Sequence, residues 1–393
     1  MPAILTRKNR LYMPIFTETL PLSLYIHIPW CVRKCPYCDF NSHQAKGALP
    51  EKHYVDALLQ ELDAHLPLVS GRTLSSIFFG GGTPSLFSGQ AIASLLDGVA
   101  TRFNLSSEIE ITLEANPGTI DQARFQAFRK AGINRLSLGI QSLQEDKLKI
   151  LGRIHDKQQA LLAINSAKEA GFTNFNLDMM YGLPNQSLED ALQDIETALS
   201  FQPTHFSWYQ LTIEPNTLFY HHTPTLPPDD TIWEMQLAGQ AMLKKAGFDQ
   251  YEVSAYAHSQ QECLHNRNYW EFGDYLGIGA GAHSKITNTQ EASVVRFSQV
   301  KHPKEYLDVS KPLPSFKILL EKDLIFEFML NALRLTKGIK SELFFKRTGI
   351  ALPQIKHLLG EAKKRGLLEE NESHIRPSEL GKKFLNDLTA MFL

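Results

Sequence analysis

Three cysteines, Cys31, Cys35 and Cys38, stand in the segment CVRKCPYC, spaced by three residues and then by two. They follow directly on the apolar run 23–28, SLYIHI. Three soft thiolates on one short loop can hold three corners of a [4Fe-4S] cube and leave the fourth iron open. An all-cysteine site stores or passes electrons, whereas an open iron can chelate a small molecule through an amine and a carboxylate. Two other assignments use the same residues. One is a zinc site completed by Cys263, His27 or His43, and the other is a set of buried structural thiols.

More residues with chemical capacity fall at regular intervals behind the cysteines. The run Gly80, Gly81, Gly82 lets backbone groups approach a ligand as no residue with a side chain permits. Glu114 can accept from an amine or a ribose, Asp178 can take ribose hydroxyls, and Arg153 can pair with a carboxylate through two parallel bonds. Each also has an ordinary role, since a glycine run is often a turn and an aspartate at a strand end often caps the next helix. Further along, His265 opens the string HNRNYW. A neutral imidazole among aromatic residues and an arginine can ligate iron in a flat macrocycle, although such a string also serves as an interface network.

These residues need elements to position them. Strand patterns run over 23–28, 75–79, 109–115, 134–140, 173–180 and 204–212. Between them apolar residues return at helical spacing, first at Tyr54, Val55, Leu58, Leu59 and Leu62, then at Ile92, Leu95, Leu96 and Val99. Six β-α units imply a parallel α/β sheet, and six closing only partway give an open (β/α)6 barrel. On that reading the cysteine loop, the glycine run, Glu114, Gln141 and Asp178 all lie where strands run out, the face on which parallel barrels build their sites.

The pattern changes near residue 250. A strand is expected in QYEVSAYA, and GDYLGIGAGAHS is expected to serve close backbone packing rather than nucleotide binding, because no helix follows it. Residues 311–393 read as helix, helix, small hairpin near 367–377 and helix, a winged-helix-like α+β module. The expected division is therefore an N-terminal segment 1–22, the barrel 23–249, a connecting region 250–310 and the C-terminal domain 311–393.

The bulk numbers fit this picture. A chain of 393 residues exceeds the size at which one core stops growing. With 43% hydrophobic and 21% charged residues it reads as an ordinary globule. No stretch approaches the roughly 18 apolar residues of a membrane span, and the N-terminus lacks a signal-peptide core, so a cytoplasmic protein is expected. Three cysteines within eight residues fit a metal site in a reducing compartment better than a disulfide framework. From residue 311 onward 15 Lys and Arg stand against 10 Asp and Glu. Lys363, Lys364 and Arg365 cluster there, but the excess is too small for the basic footprint of a DNA-binding domain.

The cysteine spacing, with Tyr37 before the last cysteine, resembles the signature of radical S-adenosylmethionine (SAM) proteins. Together with GGGTPS, LEANP, RLSLGIQS, LGRIHD, DMMYGLP and HNRNYW, it makes nearly the whole chain similar to the HemW heme chaperones, relatives of oxygen-independent coproporphyrinogen III dehydrogenase. The resemblance implies a [4Fe-4S] cluster on Cys31, Cys35 and Cys38 with SAM on its open iron. It implies SAM contacts for Tyr25, Tyr37, Gly81, Gly82, Thr83, Glu114, Gln141, Arg153 and Asp178, and heme binding for His265. The dehydrogenase carries a further cysteine two residues after the third, where this chain has Phe40. That difference points to the chaperone branch, with coproporphyrinogen III dehydrogenase activity absent and no residue assigned a catalytic role. The implied partners are heme and a heme-accepting apoprotein, with membrane-associated respiratory hemoproteins as a class of acceptor; nucleic acid is not expected. The competing readings are a radical enzyme that remodels a porphyrin, which would consume SAM, and an iron-sulfur regulator acting through the C-terminal domain, which would need salt-sensitive duplex binding.

Overall fold

The computed structural model describes residues 14–69, 71–308, 310 and 314–393. Residues 1–13 of the expected N-terminal segment lie outside the described residues.

Six parallel strands form the centre: β1 (Leu22–Ile28), β2 (Thr73–Gly81), β3 (Asn104–Ala115), β4 (Arg135–Gln141), β5 (Phe175–Tyr181) and β6 (His205–Gln210). Each pairs in parallel with the next. Their residues are buried almost without alternation, as in β1 and β5, because helices cover one face while the other closes inward. All six expected strands are present. The largest shift is in β3, which begins at Asn104 because its first half, NLSSE, is polar and largely exposed and carries no apolar pattern.

Helices fill the intervals at Glu51–Val69, Gly89–Ala100, Gln122–Ala131, Lys157–Glu169 and Leu188–Leu199. Their starts are set locally. Ser88 and Asp121 accept the free amides of Ala91 and Arg124, and Asp156 and Ser187 form capping boxes with Gln159 and Asp190. The apolar stripes chosen by spacing are inside, with Tyr54, Leu58, Leu62, Ile92 and Leu95 all at 0% exposure.

The sheet does not close, because β1 and β6 each take a different neighbour on the outer side. Beyond β6 lie β7 (Asp249–Glu252) and β8 (Ala255–Ala257), an antiparallel pair where one strand was expected. On the other flank β9 (Asp274–Ile278) runs parallel to β1, followed by β10 (His283–Asn288), β11 (Ser293–Ser298) and β12 (Lys317–Ile318). The result is a 12-stranded sheet in the order β12-β11-β10-β9-β1-β2-β3-β4-β5-β6-β8-β7. Strand β9 is the start of the glycine-rich run, missed as a strand because all five of its residues are buried and none alternates. The glycines pack closely as expected: a Cβ on Gly277 would lie 2.1 Å from the His283 carbonyl oxygen, and one on Gly279 2.4 Å from that of His27.

The C-terminal part has helices Glu321–Ala332, Ser341–Thr348 and Lys356–Lys364, and a short ladder between Ile339–Lys340 and His374–Ile375. The hairpin expected near 367–377 is marked by a bridge from Leu368 to Pro377. Phe328, Phe344 and Leu388 lie in its core, which reaches the sheet through Phe272. Its basic cluster is matched locally: Lys363 faces Glu370 and Glu372, and Arg365 pairs with Glu361 at 3.0 Å.

Asp274, at the start of β9, has no exposed surface and accepts from Lys285 at 2.9 Å, Arg72 at 2.8 Å and the hydroxyl of Thr287 at 2.9 Å. Burial pushes its pKa up, but the charges of Lys285 and Arg72 override this and hold it below the usual carboxylate range. Asp274→Ala should therefore cost about 3–5 kcal/mol, since it leaves Lys285 buried without a counter-charge. Thermal unfolding checks this, and Asp274→Asn should recover part of the loss, because its amide oxygen can still accept hydrogen bonds.

Candidate functional site

The cysteine loop is fixed by its backbone to the ends of β1 and β2. Residues Trp30–Cys31 form a short parallel ladder with His43–Gln44, and the amides of Gly82 and Thr83 donate to the carbonyls of Ile28 and Trp30 at 2.8 and 2.7 Å. A Cβ on Gly82 would stand 2.6 Å from the Trp30 carbonyl oxygen, so only glycine lets the two segments meet. Cys31, Cys35 and Cys38 are free thiols of intermediate exposure. They line one pocket of about 350 Å³ with Gly81, Gly82, Thr83, Glu114, Gln141, Arg153 and Asp178. Burial raises the pKa of Cys31, the Thr83 side chain opposes it, and the neighbouring thiolates of Cys38 and Cys35 raise it further. Three thiols that repel one another when ionised are a donor set that a cationic iron cluster stabilises.

Polar groups from successive strand ends form the floor. Glu114 accepts from the Gly81 amide at 3.3 Å. Its pKa is pushed up to about 8 by burial and then by Asp178, so a ligand ammonium beside it would favour the charged form. Asp178 accepts from Ser137 at 2.9 Å and from Asn176 at 2.8 Å. Gln141 adopts φ 71°, a left-handed conformation costly for a residue with a side chain, and its Oε1 accepts from Tyr209 at 2.5 Å. Arg153 donates to the Gly139 carbonyl at 2.7 Å, lies 3.7 Å from the Cys35 sulfur and 3.5 Å from the Tyr37 hydroxyl, and keeps a buried Nε without a partner. Tyr37 lines the same pocket.

Tyr25 and His265 lie next door, in a second cavity of about 600 Å³. It shares Phe40, Gly81, Glu114, Asp178 and Trp270 with the cysteine pocket, so the two are one depression with two compartments. His265 sits on the short helix Leu264–Trp270 and is 6% exposed. Its ring centroid is 5.0 Å from Phe78 and 6.3 Å from Tyr25. Ser76 Oγ lies 2.8 Å from Ser23 Oγ and 3.1 Å from His265 Nδ1, a hydrogen bond that engages Nδ1 and leaves Nε2 as the ring nitrogen for a further ligand. Burial, then Arg135, lowers its pKa to about 3, and the imidazole is neutral at physiological pH. Nothing in the sequence selects Ser76 and Phe78 of β2 or Arg135 of β4, which come near His265 only through the register of the sheet.

The structure separates the residues that the zinc assignment would combine. Cys263 is fully buried, donates to Glu110 at 3.4 Å and has its pKa pushed up to about 12 by burial, as a packed thiol does. His27 uses Nδ1 on the Tyr25 hydroxyl at 3.0 Å and Nε2 on the Asn41 carbonyl at 2.9 Å. His43 lies 3.2 Å from the Asn41 side chain. Among the described residues no three His, Cys, Asp or Glu side chains converge as a single ion requires. A cube makes no such demand, since each thiolate binds its own iron.

The radical SAM superfamily profile matches residues 25–198, and that of the HemN C-terminal domain matches 319–384. The heme chaperone HemW of Escherichia coli is 49% identical over 373 residues, covering 95% of this chain and 98% of that one. The chain belongs to the HemW family of heme chaperones. The Bacillus subtilis member is 34% identical across 94% of this chain and 99% of its own. The fold is also that of coproporphyrinogen III oxidase (HemN) from Escherichia coli, a radical SAM enzyme, with a TM-score of 0.80 at 24% identity over 95% of this chain and 90% of that one. Membership of the radical SAM superfamily brings with it the [4Fe-4S] cluster and SAM. No helix among the described residues is long and apolar enough to cross a membrane.

Replacing Cys31, Cys35 or Cys38 by Ser should abolish the cluster, while Cys263→Ser should retain it, because its hydroxyl can still donate to Glu110. Iron and sulfide analysis of the four anaerobically reconstituted variants checks this. Loss from Cys263→Ser would contradict the three-ligand assignment.

Proposed function

We propose that this protein is a cytoplasmic heme chaperone that binds heme beside a SAM-ligated [4Fe-4S] cluster and passes it to an acceptor apoprotein, with membrane-associated respiratory hemoproteins as the acceptor class. The observation that carries the reading is a buried, neutral imidazole with a free Nε2 in an aromatic cavity that adjoins the cysteine pocket. Its volume lies within the range of small-molecule and cofactor sites.

In this reading Cys31, Cys35 and Cys38 hold the cluster, whose open iron takes the amine and carboxylate of SAM. Gly81, Gly82 and Thr83 present backbone groups along the SAM amino-acid moiety, Glu114 and Asp178 accept from its amine and ribose, and Arg153 takes a carboxylate. Tyr37 and Gln141 complete the wall. Tyr25 acts through its neighbours, because its hydroxyl is committed to His27 and its ring faces the other cavity beside His265. Its contribution is to the partition between the two compartments. His265 ligates heme iron through Nε2, in a cavity that Tyr25, Phe78, Tyr269 and Trp270 also line.

Heme and cluster sites that adjoin would also suit an enzyme acting on a porphyrin. Phe40 distinguishes the two. It lies on the lip shared by both compartments and is 63% exposed, where a phenyl ring supplies stacking surface but neither thiolate nor acceptor.

Two outcomes are expected. His265→Ala should weaken heme binding at least about tenfold and remove the Soret signature of imidazole ligation, with iron and sulfide content unchanged. Reconstituted protein incubated anaerobically with coproporphyrinogen III, SAM and reductant should form no protoporphyrinogen IX. Product formation together with 5'-deoxyadenosine would overturn the chaperone reading in favour of an enzyme.

A further inference from the structure

The cavity that holds His265 is electrically divided. Its inner floor is acidic, with Glu114 and Asp178. Arg135 also lines the inner part, but it is 2% exposed, its charge is opposed by the Glu110 carboxylate at 3.8 Å, and it lies 3.5 Å from the Thr112 hydroxyl, although its Nε has no hydrogen-bond partner. The outer rim is different. His283, at the start of β10, and Lys301, just after β11, are exposed and line the same cavity. Lys301 has no carboxylate partner among the described residues. The other cations on these strands are engaged: Arg296 by Glu327 at 2.6 Å and the Tyr275 hydroxyl at 2.5 Å, and Lys285 by Asp274 at 2.9 Å. His283 is held below its usual pKa by burial and then by the charges of Arg296 and Lys301, so an arriving anion would be welcome at this rim.

The rim is held in place by the cysteine loop itself. Asn41, next to Phe40, donates through its side chain to the carbonyls of Ala280 and Lys301, both at 2.9 Å. The two rim residues therefore keep a fixed position relative to the lip over which a ligand must pass.

We propose that Lys301 and His283 are the carboxylate anchor of this cavity and bind the propionate groups of the macrocycle whose iron His265 ligates. The proposal rests on the reading of His265 as the iron ligand and adds the orientation of the bound ring. A flat tetrapyrrole with two carboxylates on one edge finds no free cation at the floor beside Glu114 and Asp178, and attraction at the rim. It enters with its carboxylates outward, which leaves the charged edge in solvent and the apolar edge against Tyr25 and Phe78.

The test compares ferric heme with its dimethyl ester, which keeps the ring and iron but has no carboxylates. Reconstituted wild-type protein should bind heme about threefold to tenfold more tightly than the ester, a range set by one partly exposed ion pair to Lys301 and a hydrogen bond from His283. The margin should shrink as salt is raised. In the Lys301→Gln, His283→Gln double variant, heme affinity should fall to that of the ester, with ester affinity and the position of the Soret band unchanged. Equal binding of heme and ester by the wild type, or equal weakening of both in the double variant, would overturn the anchor. A failure of the underlying reading looks different. His265→Ala would then leave the Soret band of either ligand unaltered, or His283→Gln alone would abolish it, and both ideas would fall.

Discussion

The end of the sheet that carries the site depends on a chain of hydrogen bonds centred on His27. The Tyr25 hydroxyl donates to Nδ1, Nε2–H donates to the Asn41 carbonyl, and the Asn41 side chain donates to Ala280 and Lys301. This chain ties the last turn of β1 to the exit of the cysteine loop and to the connection between β9 and β10. Gly81, at φ 113°, packs directly under the His27 ring, where a Cβ would come within 2.4 Å. The imidazole is thus structural, and it fixes two compartments against each other by being unavailable to a metal.

That arrangement follows from the parallel sheet. Parallel strands deliver all their C-terminal ends to one edge, where Glu114 and Gln141 end β3 and β4, while Asp178 lines the same depression from the middle of β5, further in than the strand end expected from its sequence. Placing β9 parallel to β1 extends the edge by one strand on the outer side and brings the helix of His265 against β2 and β1. Two carboxylates, Glu114 and Asp178, then share a floor between a thiolate pocket and an imidazole cavity. Burial raises the proton affinity of both, and the neighbouring Asp178 raises that of Glu114 further, which leaves the floor sensitive to whatever cation is placed upon it.

Much of this was legible in the sequence, for identifiable reasons. Strands that are buried on both faces read as continuous apolar runs, and Cys31, Cys35, Cys38, Glu114, Gln141 and Asp178 were picked out because each follows such a run. The fold class and the family resemblance are matched by the structure and the relatives. What stayed hidden depends on register between distant segments. Strand β9 is fully buried and opens a glycine-rich run, so nothing alternates to mark it. Ser76 and Phe78 differ from other strand residues only in facing His265, which lies 189 residues from Ser76. The placement of Tyr25 behind His27 rather than in the cysteine pocket is a matter of side-chain direction, which spacing along one strand does not fix.

The central claim is that the cluster and the macrocycle occupy adjoining halves of one depression. Anomalous scattering at the iron edge, from anaerobic crystals of the reconstituted and heme-loaded protein, measures this directly. The account predicts a compact group of iron peaks at Cys31, Cys35 and Cys38 and a further single peak against Nε2 of His265, with Phe40 on the lip between them. A heme iron peak outside that cavity, on the C-terminal domain or the outer surface, would contradict it.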